Sequence, residues 1–208
     1  IVKLLTPPFD GDSPDPGYIR AYPPGVRENG GQYTHGACWL TLAYIRTGQA
    51  ERAQRIVSML CPANHARTRE QADRYRVEPY VIAADVYGEA PHAGRGGWTW
   101  YTGAASWYIL CVLALLGYER QGDRVRLRAL LGDRQEAQVI LRYGKSVYRL
   151  VCRREARFPT LDGAPVAGEF IALVDDASEH LAVFPPRLPA QEKGPRAENN
   201  NIPNKFCC

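Results

Sequence analysis

A histidine and a threonine–glycine pair are singled out by their surroundings. His35 closes the stretch "ENGGQYTH", directly after a glycine pair and a hydroxyl, and an apolar helical run follows it. Thr102 and Gly103 close "GRGGWTWYTG", a second glycine-rich stretch that also gives way to an apolar run. The start of a helix carries unpaired N–H groups and the positive end of the helix dipole, and a glycine there lets an anion come close to the backbone. Two such starts, each with a polar side chain, can clamp one small oxyanion. Taken singly, each residue also fits a plain structural role. Thr102 suits a helix N-cap, and His35 suits a core histidine with its ring satisfied. The pairing of two glycine-rich approaches, not either residue alone, brings anion binding into consideration.

The elements that must position these groups follow from the period of the text. From Ile1 to Gly31, Pro and Gly recur ("TPPFDGDSPDPG", "YPPG"), which marks an irregular loop. Apolar residues at helical spacing predict a helix over Thr34 to Arg46. A break follows at Thr47-Gly48, and a second helix runs from Ala50 to Leu60, stopped by Pro62. Together these form an αα-hairpin. Cys61 to Tyr75 reads as a loop with a short helix, and Val77 to Tyr87 as an apolar segment. The run "TGAASWYILCVLALLGY" is apolar nearly all round from Ala104 to Leu116, with Gly117 at its C-terminal cap. Such a helix must be covered on every side, and the few helices of this chain do not suffice. Partner helices are therefore expected from outside it.

Beyond Arg120 the period changes. "VRLRALL", "AQVILRYG", "KSVYRLVCR" and "EFIALVDD" are short alternating runs separated by turn residues. Val139, Leu141 and Tyr143 share one face, as do Val147, Arg149 and Val151 across the turn at Gly144-Lys145. The reading is a small antiparallel β-sandwich after a helical layer.

Composition excludes several classes. The chain has 208 residues, 45% of them hydrophobic, and a net charge of +4 with its basic residues scattered among acids. No basic stripe for nucleic acid is present, and no apolar run reaches the roughly 18 residues of a membrane span. No signal peptide and no initiator Met open the chain, which begins on Ile1 as if cut from something longer. Cys38, Cys61, Cys111 and Cys152 lie far apart in apolar text without C-x-x-C spacing, so buried free thiols and a reducing compartment are expected. Cys207 and Cys208 end a polar, low-complexity tail read as disordered rather than lipidated.

The three motifs "YPPGVRENGGQYTHGACW", "VEPYVIAADVY" and "GRGGWTWYTGAASW" together resemble the inverting β-glucoside phosphorylases of the cellobiose and chitobiose phosphorylase family, glycoside hydrolase family 94. The likeness is strongest to the phosphorylase-type region of cyclic β-1,2-glucan synthases and to the 1,2-β-oligoglucan phosphorylases. It extends through "GDRVRLRALL", "ILRYGKSVYRLV" and "IALVDDASEH" to all but the tail. The resemblance implies an (α/α)6 barrel flanked by β-sandwich domains. It also implies phosphorolysis with inversion, giving α-glucose 1-phosphate, with an Asp protonating the departing oxygen. By resemblance His35 is the phosphate-binding histidine, and Thr102 and Gly103 are the phosphate-binding hydroxyl and backbone pair. Glu28, seven positions before His35, is by resemblance a sugar-contacting carboxylate. No cofactor is implied, since inorganic phosphate is the co-substrate, and phosphate needs positioning and charge stabilisation rather than a general base.

Other residues weigh less. Arg27 and Arg95 are candidates for added positive charge, or for packing on loop carbonyls. Trp98, Trp100 and Tyr101 suit sugar stacking or core packing, and Glu78 a supporting role. The family's general acid falls upstream of "ENGG", and none of Asp10, Asp12 and Asp15 is assigned to it. Relatives read "GSAGW" where this chain has "GAASW", a difference of packing. The resulting expectation is the C-terminal part of a barrel over 1–119, a β-sandwich abbreviated after Leu130 over 120–188, and a disordered tail over 189–208. The partners expected are a β-glucan oligosaccharide, phosphate, and a missing upstream barrel half or an oligomeric partner, with no nucleic acid and no direct membrane insertion. The thiols and the resemblance point to the cytoplasm, on the inner face of a membrane synthase. The isolated chain is expected to be inactive. The alternatives are a binding remnant without turnover and a structural piece that docks through its bare helix.

Overall fold

A computed structural model describes residues 1–11 and 15–187. Asp12, the expected tail and its Cys207-Cys208 pair lie outside these residues. Two helices, α1 (Thr34–Arg46) and α2 (Ala50–Leu60), form the hairpin predicted from their periodicity. The Thr47 hydroxyl donates back to the Ala43 carbonyl at 2.9 Å and the Gln49 amide to the Tyr44 carbonyl at 2.9 Å, which closes the turn. Pro62 then opens a short 3-10 turn, Pro62–His65. The short helix α3 (Arg69–Tyr75) has a reciprocal capping box between Thr68 and Gln71.

The apolar run departs from its predicted form at the start. It begins as α4 (Tyr101–Gly103), passes through a π-helical turn (Ala104–Tyr108), and continues as α5 (Ile109–Leu116). The Ser106 hydroxyl bonds to the Thr102 carbonyl inside that turn, so a side chain occupies an acceptor that an α-helical amide would use. Gly117 ends the rod in the left-handed conformation, at φ +58°, as its C-cap position requires. α5 packs on both α1 and α2. Cys111 is its one buried residue, while Ile109, Leu110 and Leu113 remain exposed. Ala37, Cys38, Ile56, Leu60, Ile82 and Cys111 form the core of this helical layer. Cys38, Cys61, Cys111 and Cys152 are free thiols, and the Cys111 thiol donates to the Cys38 carbonyl at 3.5 Å. No helix among the described residues is long and apolar enough to cross a membrane.

A two-stranded ribbon lies at the mouth of α1, where β1 (Gln32–Tyr33) pairs antiparallel with β2 (Asp85–Val86). The second half of the chain forms two further sheets. One holds β3 (Tyr118–Gln121), β4 (Arg124–Leu127) and β9 (Ile171–Ala172). The other has the order β5-β6-β10-β7-β8, from β5 (Glu136–Tyr143), β6 (Ser146–Arg153), β7 (Thr160–Leu161), β8 (Ala164–Pro165) and β10 (Glu179–Phe184). Their inner faces share one core, in which Val125 and Leu127 of β4 and Ile171 of β9 meet Tyr148, Leu150, Cys152, Ala182 and Phe184.

The hairpin of β5 and β6 turns at Gly144-Lys145, with Tyr143 opposite Ser146. Val139 and Leu141 face the core from β5. On β6 the core side is Tyr148, Leu150 and Cys152, so Val147, Arg149 and Val151 occupy the opposite face. The sheet is not purely antiparallel, which corrects the expectation. β10 runs parallel to β6, with Glu179 opposite Val147 and Phe184 opposite Cys152. A parallel neighbour needs a long crossover, and the segment carrying β7, β8 and β9 supplies it. The two halves are joined by backbone and side-chain bonds. Leu130 donates to the Leu115 carbonyl at 2.9 Å, and the Gln54 amide donates to the Leu130 and Leu131 carbonyls at 3.2 and 3.0 Å.

Candidate functional site

The loop before α1 separates into polar residues that build it and polar residues left without partners. Asn29 is fully buried: its side-chain oxygen accepts from the Phe9 amide at 2.6 Å, and its nitrogen donates to the Phe9 and Tyr22 carbonyls at 2.9 and 2.8 Å. Gln32 accepts from the Val2 amide at 3.1 Å and donates to the Thr34 hydroxyl, which donates in turn to the Ala83 carbonyl at 2.6 Å. These three side chains tie the loop to the N-terminal segment and to the strand region around Ala83. They account for much of the loop's polarity without any ligand.

Arg27, Glu28 and His35 are different. The Arg27 Nε, the Glu28 Oε2 and the His35 Nε2 are buried, and none has a hydrogen-bond partner. Only one other side-chain atom among the described residues shares that condition, the Arg128 Nε in the β-sheet half. A buried polar atom without a hydrogen bond is costly; Arg27 Nε and Glu28 Oε2 offset part of that cost by facing each other as an ion pair at 3.9 Å, whereas His35 Nε2 has no such neighbour. Arg27 and His35 both line a pocket of about 230 Å³, together with Tyr33, Ala84, Trp98 and Trp100. Larger hollows occur at the junction of the two halves and in the β-sheet half, but neither gathers more than one such atom.

His35 sits in the first turn of α1 among three indoles. Its ring centre is 4.3 Å from that of Trp107, 4.7 Å from Trp39 in an edge contact, and 5.9 Å from Trp100. Trp107 is presented by the π turn, a distortion that recurs at functional sites. Arg27 adopts a left-handed backbone, φ +49°, and its guanidinium lies 5.5 Å from the ring centres of both Tyr22 and Tyr33. Burial pulls its pKa down, but Tyr22, Tyr33, Asp85 and Glu28 outweigh burial and hold it above the ordinary value. Glu28 reaches Arg27 at 3.9 Å and stands behind it, outside the residues that line the pocket.

Asp85, which the sequence did not single out, completes this charge cluster. It is 3% exposed, and burial raises its pKa, with Arg27 opposing and Glu28 adding to the rise. Gly97 makes room for it, since a Cβ there would lie 2.6 Å from both carboxylate oxygens.

Thr102 and Gly103 fall outside the pocket lining. Trp100 stands between: a Cβ on Gly103 would lie 2.0 Å from its ring, which also approaches His35. Trp100, not Thr102, holds the N-cap position, and no side chain caps that helix start. The glycine pair also has a packing role. A Cβ on Gly31 would lie 2.7 Å from the Gly25 carbonyl oxygen, and one on Gly88 2.2 Å from that of Gly30. The close approach these glycines allow is by protein backbone. Arg95 contributes its carbonyl, which accepts from the Tyr87 amide at 2.8 Å, and it does not line the pocket.

Residues 1–117, the whole helical layer with this pocket, match the family model of the glycosyl hydrolase 94 superfamily catalytic domain. The chain belongs to that superfamily. Among relatives of the glycosyl hydrolase 94 domain, it is 45% identical over 181 residues to the cyclic beta-(1,2)-glucan synthase NdvB of Rhizobium meliloti (strain 1021), a match covering 86% of this chain and 6% of the synthase. It is 28% identical over 185 residues to the solabiose phosphorylase of Paenibacillus borealis, covering 85% of this chain and 24% of that enzyme. With the N,N'-diacetylchitobiose phosphorylase of Vibrio proteolyticus it shares 27% identity over 112 residues, 53% of this chain and 14% of the relative. The chain thus spans a quarter or less of each of these relatives. Both β-sheet and helical halves fall within the two longer matches, whereas the family model stops where α5 ends.

Proposed function

We propose that the chain forms the phosphate-binding part of an inverting glycoside phosphorylase site that acts on β-1,2-linked glucan. The observation carrying this reading is the buried His35 Nε2, which has no hydrogen-bond partner, in one pocket with Arg27, whose Nε has only the 3.9 Å ion pair with Glu28. A phosphate oxyanion accepts hydrogen bonds at several oxygens, and would satisfy both donors at once when the histidine ring presents N–H. Glu28 and Asp85 behind Arg27 hold the guanidinium charged and in place. Thr102 and Gly103, across Trp100 from His35, close the far side of the phosphate once substrate is bound. In the reaction a phosphate oxygen bonds to the anomeric carbon as the glycosidic C–O bond breaks on the opposite face. The departing oxygen takes a proton from a general acid, and α-glucose 1-phosphate results. That acid comes from the remaining helices of an (α/α)6 barrel, which also cover the exposed face of α5.

Phosphorolysis of sophorose and longer β-1,2-gluco-oligosaccharides, read as glucose 1-phosphate, tests this with the chain alone and joined to a complementing barrel half. No turnover is expected from the chain alone. In the joined protein His35→Ala should lower turnover by about 10²- to 10³-fold, the scale of losing one transition-state donor. Turnover by the isolated chain would show that the acid lies within it, and a neutral His35→Ala would remove His35 from the site. A binding role without turnover is the second reading. It is favoured by the pocket lining, which contains no carboxylate among the described residues.

A further inference from the structure

The two edges of the larger sheet are finished differently. β8 closes one side as a two-residue strand, Ala164–Pro165, whose proline has no N–H to offer a neighbour. β5 forms the other side over eight residues, in unbroken register with β6 and without proline or lysine. That register also shows which backbone groups of β5 are spare. In the next pair beyond the ladder, the Arg154 amide donates to the Gln135 carbonyl at 3.0 Å, and on the far side of β6 the Val147 amide donates to the Ser178 carbonyl at 3.0 Å. Bonded pairs alternate along an antiparallel ladder, so Ala137, Val139, Leu141 and Tyr143 direct their backbone groups at β6. Glu136, Gln138, Ile140 and Arg142 therefore turn N–H and C=O to the free edge, where none is bonded among the described residues. Their side chains are exposed as well, Ile140 to 62%. Open edges are commonly blocked by charge, but here the charges are of opposite sign. Glu136 and Arg142 stand at equal distances on either side of Val139. Glu136 makes an exposed pair with Arg153 at 3.1 Å, whereas Arg142 has no ion pair among the described residues.

We propose that β5 pairs antiparallel with β5 of a second copy of the chain, about a two-fold axis at Val139, joining two five-stranded sheets edge to edge. The spare groups fix the register. With Val139 opposite Val139, Gln138 lies opposite Ile140 and Glu136 opposite Arg142, each at a position where facing residues exchange both hydrogen bonds. The neighbouring registers, centred on Gln138 or on Ile140, lose both charge pairs. On the inner face Ala137 comes opposite Leu141, so partly buried apolar residues meet across the axis. The charge pattern selects the occupant. An unrelated extended segment would need a base facing Glu136 and an acid facing Arg142, and β5 presents that pattern to itself. The exposed face of α5 offers Ile109, Leu110 and Leu113 but no charge, so association there would not depend on Glu136 or Arg142.

Sedimentation velocity of the 208-residue chain over a concentration series tests this. A monomer–dimer equilibrium is expected, moving from 23.2 kDa toward twice that mass as concentration rises. Arg142→Glu and Glu136→Arg should each weaken self-association by about tenfold or more, since each sets like charges opposite one another twice per dimer. The Glu136–Arg153 pair lost in the second variant is exposed, so the fold should not depend on it. Mixed in equal amounts, the two variants should recover dimerisation, because each presents the complement of the other. Ile140→Pro removes an N–H from the free edge without removing a bond to β6, and should leave the chain monomeric, with circular dichroism confirming its fold. A wild-type chain still monomeric at about 100 μM would overturn the proposal and leave the edge to another extended segment. Association that survives both Ile140→Pro and Arg142→Glu would belong to another surface, such as α5, and would overturn it equally. So would a mixture of the two charge variants that associates no better than either alone.

Discussion

The two halves of the molecule differ in how far their own residues satisfy their buried polar groups. In the sheet half, from Tyr118 to Phe184, two inner faces close on one core, and Tyr148, Leu150, Cys152 and Phe184 are buried within it. Its charged side chains pair with one another: Arg126 bonds to Glu119 at 2.5 Å and also to Glu169, which bonds to Arg128 at 2.6 Å. In the helical half, α5 leaves Ile109, Leu110 and Leu113 exposed, Trp39 and Trp98 stand in solvent, and three buried polar atoms lack hydrogen bonds. Interiors are normally dense and polar groups normally satisfied. The sheet half leaves one such atom, the Arg128 Nε, and exposes Ile140, Phe158 and Val174, so the contrast is one of degree: the helical half concentrates three such atoms around one pocket. The first supplies most of its own packing, and the second carries the candidate site.

The largest expected effect tests the self-sufficient half. Phe184 is fully buried between the two sheets, so Phe184→Ala should cost about 3–5 kcal/mol in chemical denaturation. A cost under about 1 kcal/mol would mean that the sheet half is as loosely packed as the helical face, and the contrast would vanish. A smaller effect is expected in the helical half from Gly103→Ala. The added methyl would meet the Trp100 ring at 2.0 Å, and overpacking of this kind costs about 1–3 kcal/mol. Because Trp100 also lines the pocket, the same change should weaken phosphate binding. Loss of stability with phosphate binding retained would separate Trp100 from the site.

Much of this organisation is legible in the sequence, and its limits are physical. α1 and α2 occupy the residues that their periodicity assigns, Gly117 caps α5, and the β5–β6 hairpin turns at Gly144-Lys145, because each depends on neighbours a few positions away. β10 was not marked out by the sequence, although it is a central strand. Its place is fixed by pairing with β6 across three intervening strands. The same limit applies at the site. Nothing in "ENGGQYTH" distinguishes Asn29 and Thr34, which are satisfied by Phe9 and Ala83, from Glu28 and His35, which are not. The partners that decide the matter lie 20 and 49 positions away. Resemblance to a family named His35 and Glu28, but Asp85, Gly97 and the exposure of Trp98 became visible only once the chain was folded.

The smallest predicted effect concerns pH, and it too belongs to the self-satisfied half. His180 lies stacked on Tyr148, with Nδ1 2.8 Å from Asp162 Oδ2 and Nε2 3.1 Å from Asp176 Oδ1. An ionised carboxylate only accepts, so both ring nitrogens must donate, which requires the imidazolium form. The bond to Asp162 accordingly raises the His180 pKa; burial opposes the rise, and Asp176 adds to it. Asp176 is held down at about 2 by the Ser178 amide, with His180 and Ser146 contributing. A histidine whose pKa is raised on folding stabilises fully below its unfolded value, about 6.5, and that contribution fades as pH rises through the higher folded value. Asp176 works in the other direction. Its contribution is present above the unfolded value of about 3.9 and fades as pH falls toward its folded value. Thermal unfolding should therefore show a plateau between about pH 4 and 6.5, with a decline on either side. Asp162 and Asp176 are about half-exposed, so water screens both pairs and the alkaline decline attributable to His180 should amount to only a few degrees. His180→Gln should flatten the alkaline limb while leaving much of the acid limb, to which Ser178 and Ser146 still contribute. An alkaline limb of the same slope in His180→Gln would assign the pH dependence elsewhere. Were His35→Ala to flatten it instead, the proton-linked stability would belong to the unfinished half, and the division drawn between the two regions would fail.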